Sequence, residues 1–386
     1  MRRDTKMVHA GRGAIEHEGT VNLPVHRAST ILSPDVESYI HRFDGDKAFT
    51  DITYGATGTH NARALREAIA ALEDASHCIV TSSGLSCITM TLSALLRVGD
   101  HALITDSAYG PTRTFCKNVL SRYGIETTFY DPMLGGDVES LIRENTRLIF
   151  VEAPGSLTFE MQDVPAITAV ARKHGIVSVM DNTWATSIFF KPLENGIDVS
   201  LQAATKYIAG HSDLVIGAIC TSRNSLFRQI AEHCKTFGDV AGPDDCYLAL
   251  RGLRTLGVRL ERQQRSALQV ATWLSQRSEV ERVLFPALAQ DPGHAIWRRD
   301  FSGASSLFGI ALEVDDQAAR RWVDALQLFS IGSSWGGFES LVAFNYMKGI
   351  RQSTSWSDTS YLLRMHIGLE DPQDLIEDLK RAFDSL

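Results

Sequence analysis

Two short apolar runs near the middle of the chain each end abruptly at a charged residue. Val177–Met180 leads into Asp181, and Val199–Thr205 leads into Lys206. Short runs that are rich in β-branched residues are typical of strands buried on both faces of a sheet. In an open α/β sheet, the carboxyl ends of such strands border the crevice where ligands bind. The sequence therefore predicts that Asp181 and Lys206 share one rim of a sheet.

An amine and a carboxylate at neighbouring strand ends suit pyridoxal 5'-phosphate (PLP). The lysine can form a Schiff base with the aldehyde of the cofactor, and the aspartate can pair with its pyridinium nitrogen. Strand-end lysine and aspartate residues are also common as structural ion pairs. The spacing by itself leaves both interpretations open.

Helical and strand-like patterns alternate from about residue 59 to 253. A helical pattern over Asn61–Leu72 is followed by a predicted strand over Cys78–Thr81 and a predicted helix over Leu85–Leu96. Six further strands are predicted, at Ala102–Thr105, Thr127–Tyr130, Leu148–Glu152, Val177–Met180, Val199–Ala204 and Val215–Cys220. Repeated β-α units of this kind imply a mainly parallel sheet with right-handed crossovers.

Two of the predicted strand ends carry further candidate ligand contacts. Ser82-Ser83-Gly84 stands between a strand and a helix, where backbone N–H groups and a helix N-terminus can hold a phosphate; the same residues could also be a tight turn. Tyr109 follows another strand closely, and its ring could stack on a planar ligand or could be a half-buried surface side chain.

The sequence pattern divides the chain into three parts. Residues 1–58 show little periodicity, which is typical of a segment that covers its own domain or reaches a neighbouring subunit. Residues 59–253 form the predicted α/β domain. Residues 254–386 lose the alternation and read as a separate α+β domain, with a long predicted helix over Leu253–Gln276 and three strands, at Leu307–Val314, Leu341–Phe344 and Leu362–Ile367.

Charge and composition exclude several classes of function. The formal net charge of −8 disfavours nucleic acid and anionic membrane surfaces as main partners. The six cysteines form no Cys-x-x-Cys pair and do not cluster with histidine, which argues against a disulfide scaffold and against a zinc site. No apolar run approaches the ~20 residues that a membrane span needs, and no apolar segment follows the basic N-terminus. We expect a cytoplasmic protein.

One motif points to a different chemistry. Gly332-Ser333-Ser334-Trp335-Gly336 matches the Gly-x-Ser-x-Gly pattern of serine hydrolases, and Asp358 and His366 follow in the order of a catalytic triad. That motif needs a strand before the serine and a helix directly after it, whereas Gly337–Phe344 reads as extended. A serine hydrolase and a cofactor-free binding protein on the same sheet are the two alternatives to a PLP enzyme.

Several segments together resemble one known family. They are Ser200–Tyr207, Gly210–Asp213, Asp181–Ala185, Ser334–Gly337 and Arg364–Asp371. The chain is similar over nearly its whole length to the PLP-dependent enzymes of Cys/Met metabolism, and 152–156 (EAPGS) is more similar to the β-lyase branch than to the γ-lyases. The resemblance implies the PLP-dependent transferase-like fold of the aspartate aminotransferase type, with a C-terminal α+β domain. It also implies a carbon–sulfur β-lyase that cleaves L-cystathionine to homocysteine, pyruvate and ammonia.

The resemblance further implies a role for each matched residue. Lys206 would carry PLP and act as the base, and Asp181 would pair with the ring nitrogen. Tyr109 would stack on the ring. The phosphate would be held by Gly84, Leu85 and Thr205 and, from a neighbouring subunit, by Tyr54, which makes the catalytic unit a dimer within a homotetramer. Four residues would bind the substrate. Arg364 would bind the α-carboxylate of the substrate, with Ser334 and Trp335 beside it, and Tyr54 would also contact the substrate.

Three positions depart from the family pattern. Ala203 stands where the family usually has a serine, Ala56 where it usually has an arginine, and Ser333 where one cystathionine-cleaving member of the family has a tyrosine. Ala56 and Ser333 fall in the region expected to recognise the far end of the substrate. The sequence therefore leaves cysteine, cystine and other cysteine S-conjugates as alternative substrates.

Overall fold

The computed structural model describes residues 1–13, 19–45, 49, 51–354 and 360–386. Thirteen α-helices lie in these described ranges. They are α1 Arg3–His9, α2 Val36–Ile40, α3 His60–Glu73, α4 Gly84–Leu95, α5 Gly110–Phe115, α6 Val164–Lys173, α7 Thr186–Phe189, α8 Asn224–Thr236, α9 Pro243–Leu253, α10 Leu256–Leu274, α11 His294–Asp300, α12 Asp316–Ala325 and α13 Pro372–Phe383. None of them is long and apolar enough to cross a membrane.

A seven-stranded sheet carries the predicted strand ends. Its strands are β1 His77–Thr81, β2 His101–Thr105, β3 Glu126–Tyr130, β4 Thr146–Glu152, β5 Val177–Asp181, β6 Val199–Gln202 and β7 Gly217–Thr221. The spatial order is β1-β7-β6-β5-β4-β2-β3. Strand β7 runs antiparallel to both of its neighbours, β1 and β6, and the other neighbouring pairs in this sheet are parallel. The mainly parallel sheet predicted from the sequence is confirmed.

Both faces of this sheet are covered, as the continuous apolar runs required. On β5, Val179 packs into one hydrophobic cluster and Met180 into the other, and on β2 the residues Leu103 and Ile104 divide in the same way. Side chains of a strand point alternately to opposite faces. Because both faces are apolar, the polar groups of these strands are concentrated at their ends.

A second, five-stranded sheet lies in the C-terminal part of the chain. It consists of β8 Val280–Leu284, β9 Leu307–Leu312, β10 Ser330–Ile331, β11 Leu341–Tyr346 and β12 Tyr361–His366, in the order β10-β11-β12-β9-β8. The three strands predicted here are present, whereas β8 and the two-residue β10 were not predicted. The domain boundaries at residues 58 and 253 stay predictions.

Some predicted bounds differ from the structure for identifiable reasons. The strand predicted over Val199–Ala204 ends at Gln202, because the N–H of Ala203 donates to the Thr183 hydroxyl instead of to a neighbouring strand. The helix predicted over Leu253–Gln276 begins only at Leu256. The preceding helix α9 ends at Leu253, and Thr255 has non-helical dihedrals (φ −109°, ψ 7°).

Candidate active site

Lys206 lies in the turn that follows β6, at the carboxyl end of the strand. Its backbone is fixed on both sides, because its N–H donates to Ala203 O (3.0 Å) and its carbonyl accepts from the N–H of Gly210 (2.7 Å). The preceding Thr205 bonds to the backbone of Ile216, to which its Oγ1 both donates (3.0 Å) and accepts (2.9 Å). The position of Lys206 is therefore set by backbone contacts and not by its own long side chain.

Asp181 is the last residue of β5, the strand next to β6. Its Oδ1 accepts hydrogen bonds from the N–H (2.9 Å) and the hydroxyl (2.5 Å) of Thr183. The same hydroxyl accepts from the N–H of Ala203 (2.8 Å), so Thr183 ties the end of β5 to the turn that carries Lys206. The predicted shared rim of Asp181 and Lys206 is thus present in the structure.

Lys206 is the amine of this rim, and its environment lowers the pKa of that amine. Burial, followed by the positive charge of Arg364, lowers the pKa of Lys206 to about 8, although Asp181 acts in the opposite direction. Its Nζ lies 2.5 Å from the hydroxyl oxygen of Ser334 and 5.3 Å from the centre of the Trp335 ring. A lysine with a depressed pKa is suited to act as a nucleophile and as a base near neutral pH.

Arg364 reaches the same loop from strand β12. Its Nη2 donates to the backbone carbonyl of Ser334 (3.1 Å), and burial lowers its pKa. The structure thus brings Lys206, Ser334, Trp335 and Arg364 together, although they come from three separate parts of the chain. A guanidinium has five N–H donors in a planar fork that matches a carboxylate.

Tyr109 completes the rim on the other side of Asp181. Its N–H donates to Oε2 of Glu152 (2.8 Å), which is the last residue of β4 and is paired with Asp181 in the sheet. The Tyr109 side chain is 44% exposed. Burial raises its pKa, and the charges of Arg364, Asp181 and Glu152 also act on the phenol. A half-exposed ring among these groups is available to stack on a planar ligand.

Glu152 is a site residue whose role the sequence did not predict. Burial, and then the charge of Asp181, raise its pKa well above the usual range of a carboxyl group. A neutral Glu152 can keep its bond to the Tyr109 N–H without adding a second negative charge beside Asp181. The sequence indicated only that Glu152 ends a predicted strand, and its pairing with Asp181 is seen in the structure.

Gly84 and Leu85 begin helix α4 directly beside the Lys206 turn. The cap residue Ser83 uses its hydroxyl to accept from the N–H of Ser86 (2.9 Å), and no described residue accepts from the N–H groups of Gly84 and Leu85. A side chain on Gly84 would overlap Ala203, so glycine permits this close approach. Two free donors at a helix start form a place for a phosphate.

Tyr54 does not reach this rim. Its backbone bridges Thr30, its side chain is about half exposed, and the structure shows no contact from it to Lys206, Asp181 or Arg364. It belongs to the predicted segment 1–58, of which residues 14–18, 46–48 and 50 lie outside the described ranges. Its contact with the cofactor of a neighbouring subunit stays a prediction, as does the phosphate contact of Thr205.

The hydrolase motif lacks its structural context. Ser334 is followed by the strand Leu341–Tyr346, with no helix between them, and its hydroxyl contacts Lys206. His366 is turned towards the backbone of Gly336, 3.1 Å from its nitrogen, and Asp358 lies outside the described residues. The motif therefore serves the Lys206 rim and does not form a nucleophile elbow.

These residues fit PLP. The half-buried Asp181, whose pKa burial raises, uses only Oδ1 for its two bonds from Thr183, so Oδ2 has no hydrogen-bond partner among the described residues and can meet a pyridinium N–H. The amine of Lys206 and the phenol of Tyr109 both lie close enough to Asp181 for its charge to act on them, and Gly84 packs against Ala203 in the turn that carries Lys206. Each group that PLP requires is matched by a residue of this chain.

Comparison with known proteins gives consistent results. The family model for the Cys/Met metabolism PLP-dependent enzymes matches residues 4–384. A cystathionine beta-lyase of Bordetella avium is 43% identical over 389 residues, which cover 99% of this chain and 97% of the relative. An L-alanine/L-glutamate racemase of Wolbachia pipientis wMel is 41% identical over 393 residues, which cover 99% of this chain and 97% of the relative. The crystal structure of metB from Corynebacterium glutamicum superimposes with a TM-score of 0.91 at 29% identity, covering 100% of this chain and 98% of that chain.

Proposed function

Because this chain belongs to the Cys/Met metabolism PLP-dependent enzyme family, we propose that it is a cystathionine β-lyase, which cleaves L-cystathionine to homocysteine, pyruvate and ammonia. The family, the fold of the aspartate aminotransferase type, the PLP cofactor and the carbon–sulfur lyase class predicted from the sequence are confirmed. The cofactor-free binding protein considered as an alternative is set aside. The substrate, the residue roles and the assembly are our proposal.

One observation carries the proposal. Ser334 contacts Lys206 through its hydroxyl (2.5 Å) and Arg364 through its carbonyl (3.1 Å). The proposed base, Lys206, and the proposed carboxylate-binding group, Arg364, therefore both contact Ser334. An α-amino acid whose carboxylate binds Arg364 would present its Cα to Lys206, which is the arrangement that removal of the Cα proton requires.

When bound, PLP supplies an aldehyde for the substrate amine and a protonated ring that accepts the electron pair of the broken Cα–H bond. Asp181 would keep the proton on the ring nitrogen, and Tyr109 would stack on the ring. Lys206 Nζ takes the Cα proton and then donates it to the sulfur as the Cβ–S bond breaks. The thiol product leaves, and water converts the released three-carbon enamine to pyruvate and ammonia.

Two small residues, Ser333 and Ala56, lie in the region expected to recognise the far end of the substrate. Ser333 is exposed and small, and Ala56 carries no charge. A pocket without a tyrosine and an arginine at these positions would also admit shorter substrates. Cysteine, cystine and other cysteine S-conjugates are therefore the second candidate substrates of the same β-elimination.

The test is to identify the products of the purified, PLP-loaded protein. With L-cystathionine we expect pyruvate and homocysteine in equal amounts. Formation of 2-oxobutyrate would instead indicate γ-elimination. Pyruvate from cysteine or cystine alone would favour the second candidate substrates. L-Alanine and L-glutamate should be assayed for D-isomers in parallel, because the Wolbachia relative is named as a racemase of these two.

Two further proposals concern the whole protein. Tyr54 is proposed to reach the cofactor phosphate of a neighbouring subunit, so that the catalytic unit is a dimer, and two dimers are proposed to form a homotetramer. The exposed apolar side chains of residues 32–40, among them Leu32, Val36 and Ile40, support a subunit contact of this segment. A cytoplasmic location also stays a prediction.

A further inference from the structure

His366 lies two residues after Arg364 on strand β12, on the same face of the strand, and it contacts the loop that Arg364 also contacts. Its Nε2 lies 3.1 Å from the backbone nitrogen of Gly336, and its Nδ1 lies 3.2 Å from the hydroxyl of Ser306. The imidazole is buried, with 1% of its surface exposed. Its two ring nitrogens therefore connect the Ser334–Gly337 loop with the beginning of strand β9.

The tautomer of His366 follows from these partners. Nε2 also lies 3.3 Å from the Gly337 carbonyl, which already accepts from Gln263 (2.8 Å). The contact with Gly336 is the shorter one, and a backbone N–H can only donate, so we assign Nε2 as the unprotonated nitrogen that accepts from Gly336. The ring proton is then on Nδ1, which donates to Ser306, and the Ser306 hydroxyl is left to donate to the Tyr207 hydroxyl (3.2 Å). Burial lowers the pKa of His366 to about 3, so the ring stays neutral. This buried chain of hydrogen bonds ends at the residue next to Lys206.

The loop held by His366 lies directly against Lys206. Gly336 has φ +90°, and a Cβ on it would come within 2.9 Å of the Cα and carbonyl carbon of Lys206. Ser334 has φ +74°, a left-handed conformation that a serine rarely adopts. Such a conformation persists only where the surrounding structure imposes it. Two hydrogen bonds constrain the backbone that follows Ser334. The N–H of Gly336 donates to His366, and the side-chain amide of Gln263 donates to the Gly337 carbonyl (2.8 Å).

We propose that His366 is a positioning residue for substrate binding, which holds the Ser334 loop between Lys206 and Arg364 through the Gly336 N–H. This inference rests on the proposed function of the site. His366 touches neither substrate nor cofactor. It determines where the hydroxyl and the carbonyl of Ser334 lie, and through them the mutual arrangement of the base and the carboxylate-binding guanidinium.

Two substitutions of His366 distinguish the contact made by Nε2 from the contact made by Nδ1. The side-chain oxygen of glutamine can take the place of Nε2 and accept from Gly336, whereas the shorter asparagine amide reaches only the place of Nδ1. For His366→Asn we expect the KM for L-cystathionine to rise about three- to tenfold, the range that corresponds to one lost hydrogen bond, with a smaller change in kcat. For His366→Gln we expect a KM within about twofold of the wild type.

A second readout does not depend on catalysis. Glycine has the α-carboxylate and amine of the substrate but no leaving group, and its dissociation constant can be measured from the absorption change of the bound cofactor. It should weaken in His366→Asn by the same factor as KM and stay unchanged in His366→Gln. If the wild-type protein cleaves no sulfur amino acid, the proposed function fails, while the glycine titration still tests the role of His366.

The matched control is His101→Gln. His101 is equally buried and bonds to the hydroxyls of Thr146 (2.8 Å) and Thr128 (2.9 Å) at the opposite, amino-terminal edge of the large sheet. The His101→Gln variant should have the KM for L-cystathionine and the dissociation constant for glycine of the wild type. Wild-type values in both His366 variants would overturn the inference. Equal losses in both variants, accompanied by a lower melting temperature and loss of bound PLP, would show a general structural role and would also overturn it.

Discussion

The Nζ of Lys206 lies 2.5 Å from the hydroxyl oxygen of Ser334, a residue 128 positions further along the chain. The carbonyl of the same serine accepts a hydrogen bond from Arg364. A change at any of these three side chains should therefore affect the others, and substitutions can assign their individual roles.

Replacing Lys206 tests which residue carries PLP. We expect Lys206→Ala to abolish the absorption band of the protein-bound cofactor and the lyase activity, because no other amine lies on this rim among the described residues. The spectrum of the PLP-treated variant, after removal of free PLP, is the measurement. Lys191→Ala, which removes a lysine that pairs with Asp74 away from the site, is the control. An unchanged spectrum in Lys206→Ala would refute the assignment.

Arg364 is expected to bind the substrate through its carboxylate. A hydrogen bond to a charged group contributes about 1.5–3 kcal/mol, so Arg364→Ala should raise KM roughly ten- to hundredfold. Arg364→Lys keeps the charge but loses the planar fork, and it should recover only part of this loss. Steady-state kinetics with L-cystathionine measure the effect. The idea fails if KM is unchanged while kcat falls.

Asp181 is expected to act on catalysis more than on binding. Asp181→Asn removes the negative charge that would pair with the ring nitrogen, and loss of one such electrostatic contact typically lowers kcat by ~10²–10³-fold. The control is Asp198→Asn, the same change at the amino end of the neighbouring strand, where Asp198 bonds to Ser178 and Arg223. Equal kcat values for the two variants would contradict the role of Asp181.

The lowered pKa of Lys206 predicts how fast the cofactor-free protein takes up PLP. Only the neutral amine attacks an aldehyde, so the rate should increase as the pH rises through about 8 and then level off. Arg364→Ala removes a positive charge that lowers this pKa, and the midpoint should move to higher pH. Stopped-flow absorption gives the rates, and the exposed Arg298→Ala serves as control. A midpoint that Arg364→Ala leaves in place would show that the two charges do not interact.

The proposed contact of Tyr54 with a neighbouring subunit predicts complementation. Tyr54→Ala and Lys206→Ala oligomers should each have little or no activity. A mixed oligomer contains sites that combine the intact Lys206 of one subunit with the intact Tyr54 of the other, so co-expression of the two variants with different affinity tags should restore activity. If isolated mixed oligomers remain inactive, Tyr54 acts within its own subunit or not at all.

Local patterns were sufficient to predict the framework of the site. The apolar runs that end at Asp181 and Lys206 reflect the burial of both faces of a parallel sheet, and that burial leaves the strand ends as places for charged groups. The helix predicted from Leu85, after the small residues that follow a strand, begins one residue earlier, at Gly84. Thr183 could have been found as well, because an Asp with a hydroxyl residue two positions later is a local turn pattern.

Other features of the site had no local signal. The sequence suggested a hydrolase triad of Ser334, Asp358 and His366, but the imidazole faces the N–H of Gly336. The neutral form inferred for Glu152 depends on its pairing with Asp181 across two strands, and nothing in its own segment indicates this.

The resemblance to a known family gave the class of cofactor. The local sequence patterns determined most of the order of strands and helices and the residue types at the strand ends, because hydrophobic burial and turn formation depend on neighbouring residues. The tertiary structure decided which atoms meet at Lys206, because its contact with Ser334 joins segments 128 residues apart. The left-handed backbone of Ser334 is disfavoured locally and is held by the packing of its loop against Lys206 and by the bond from Gly336 to His366.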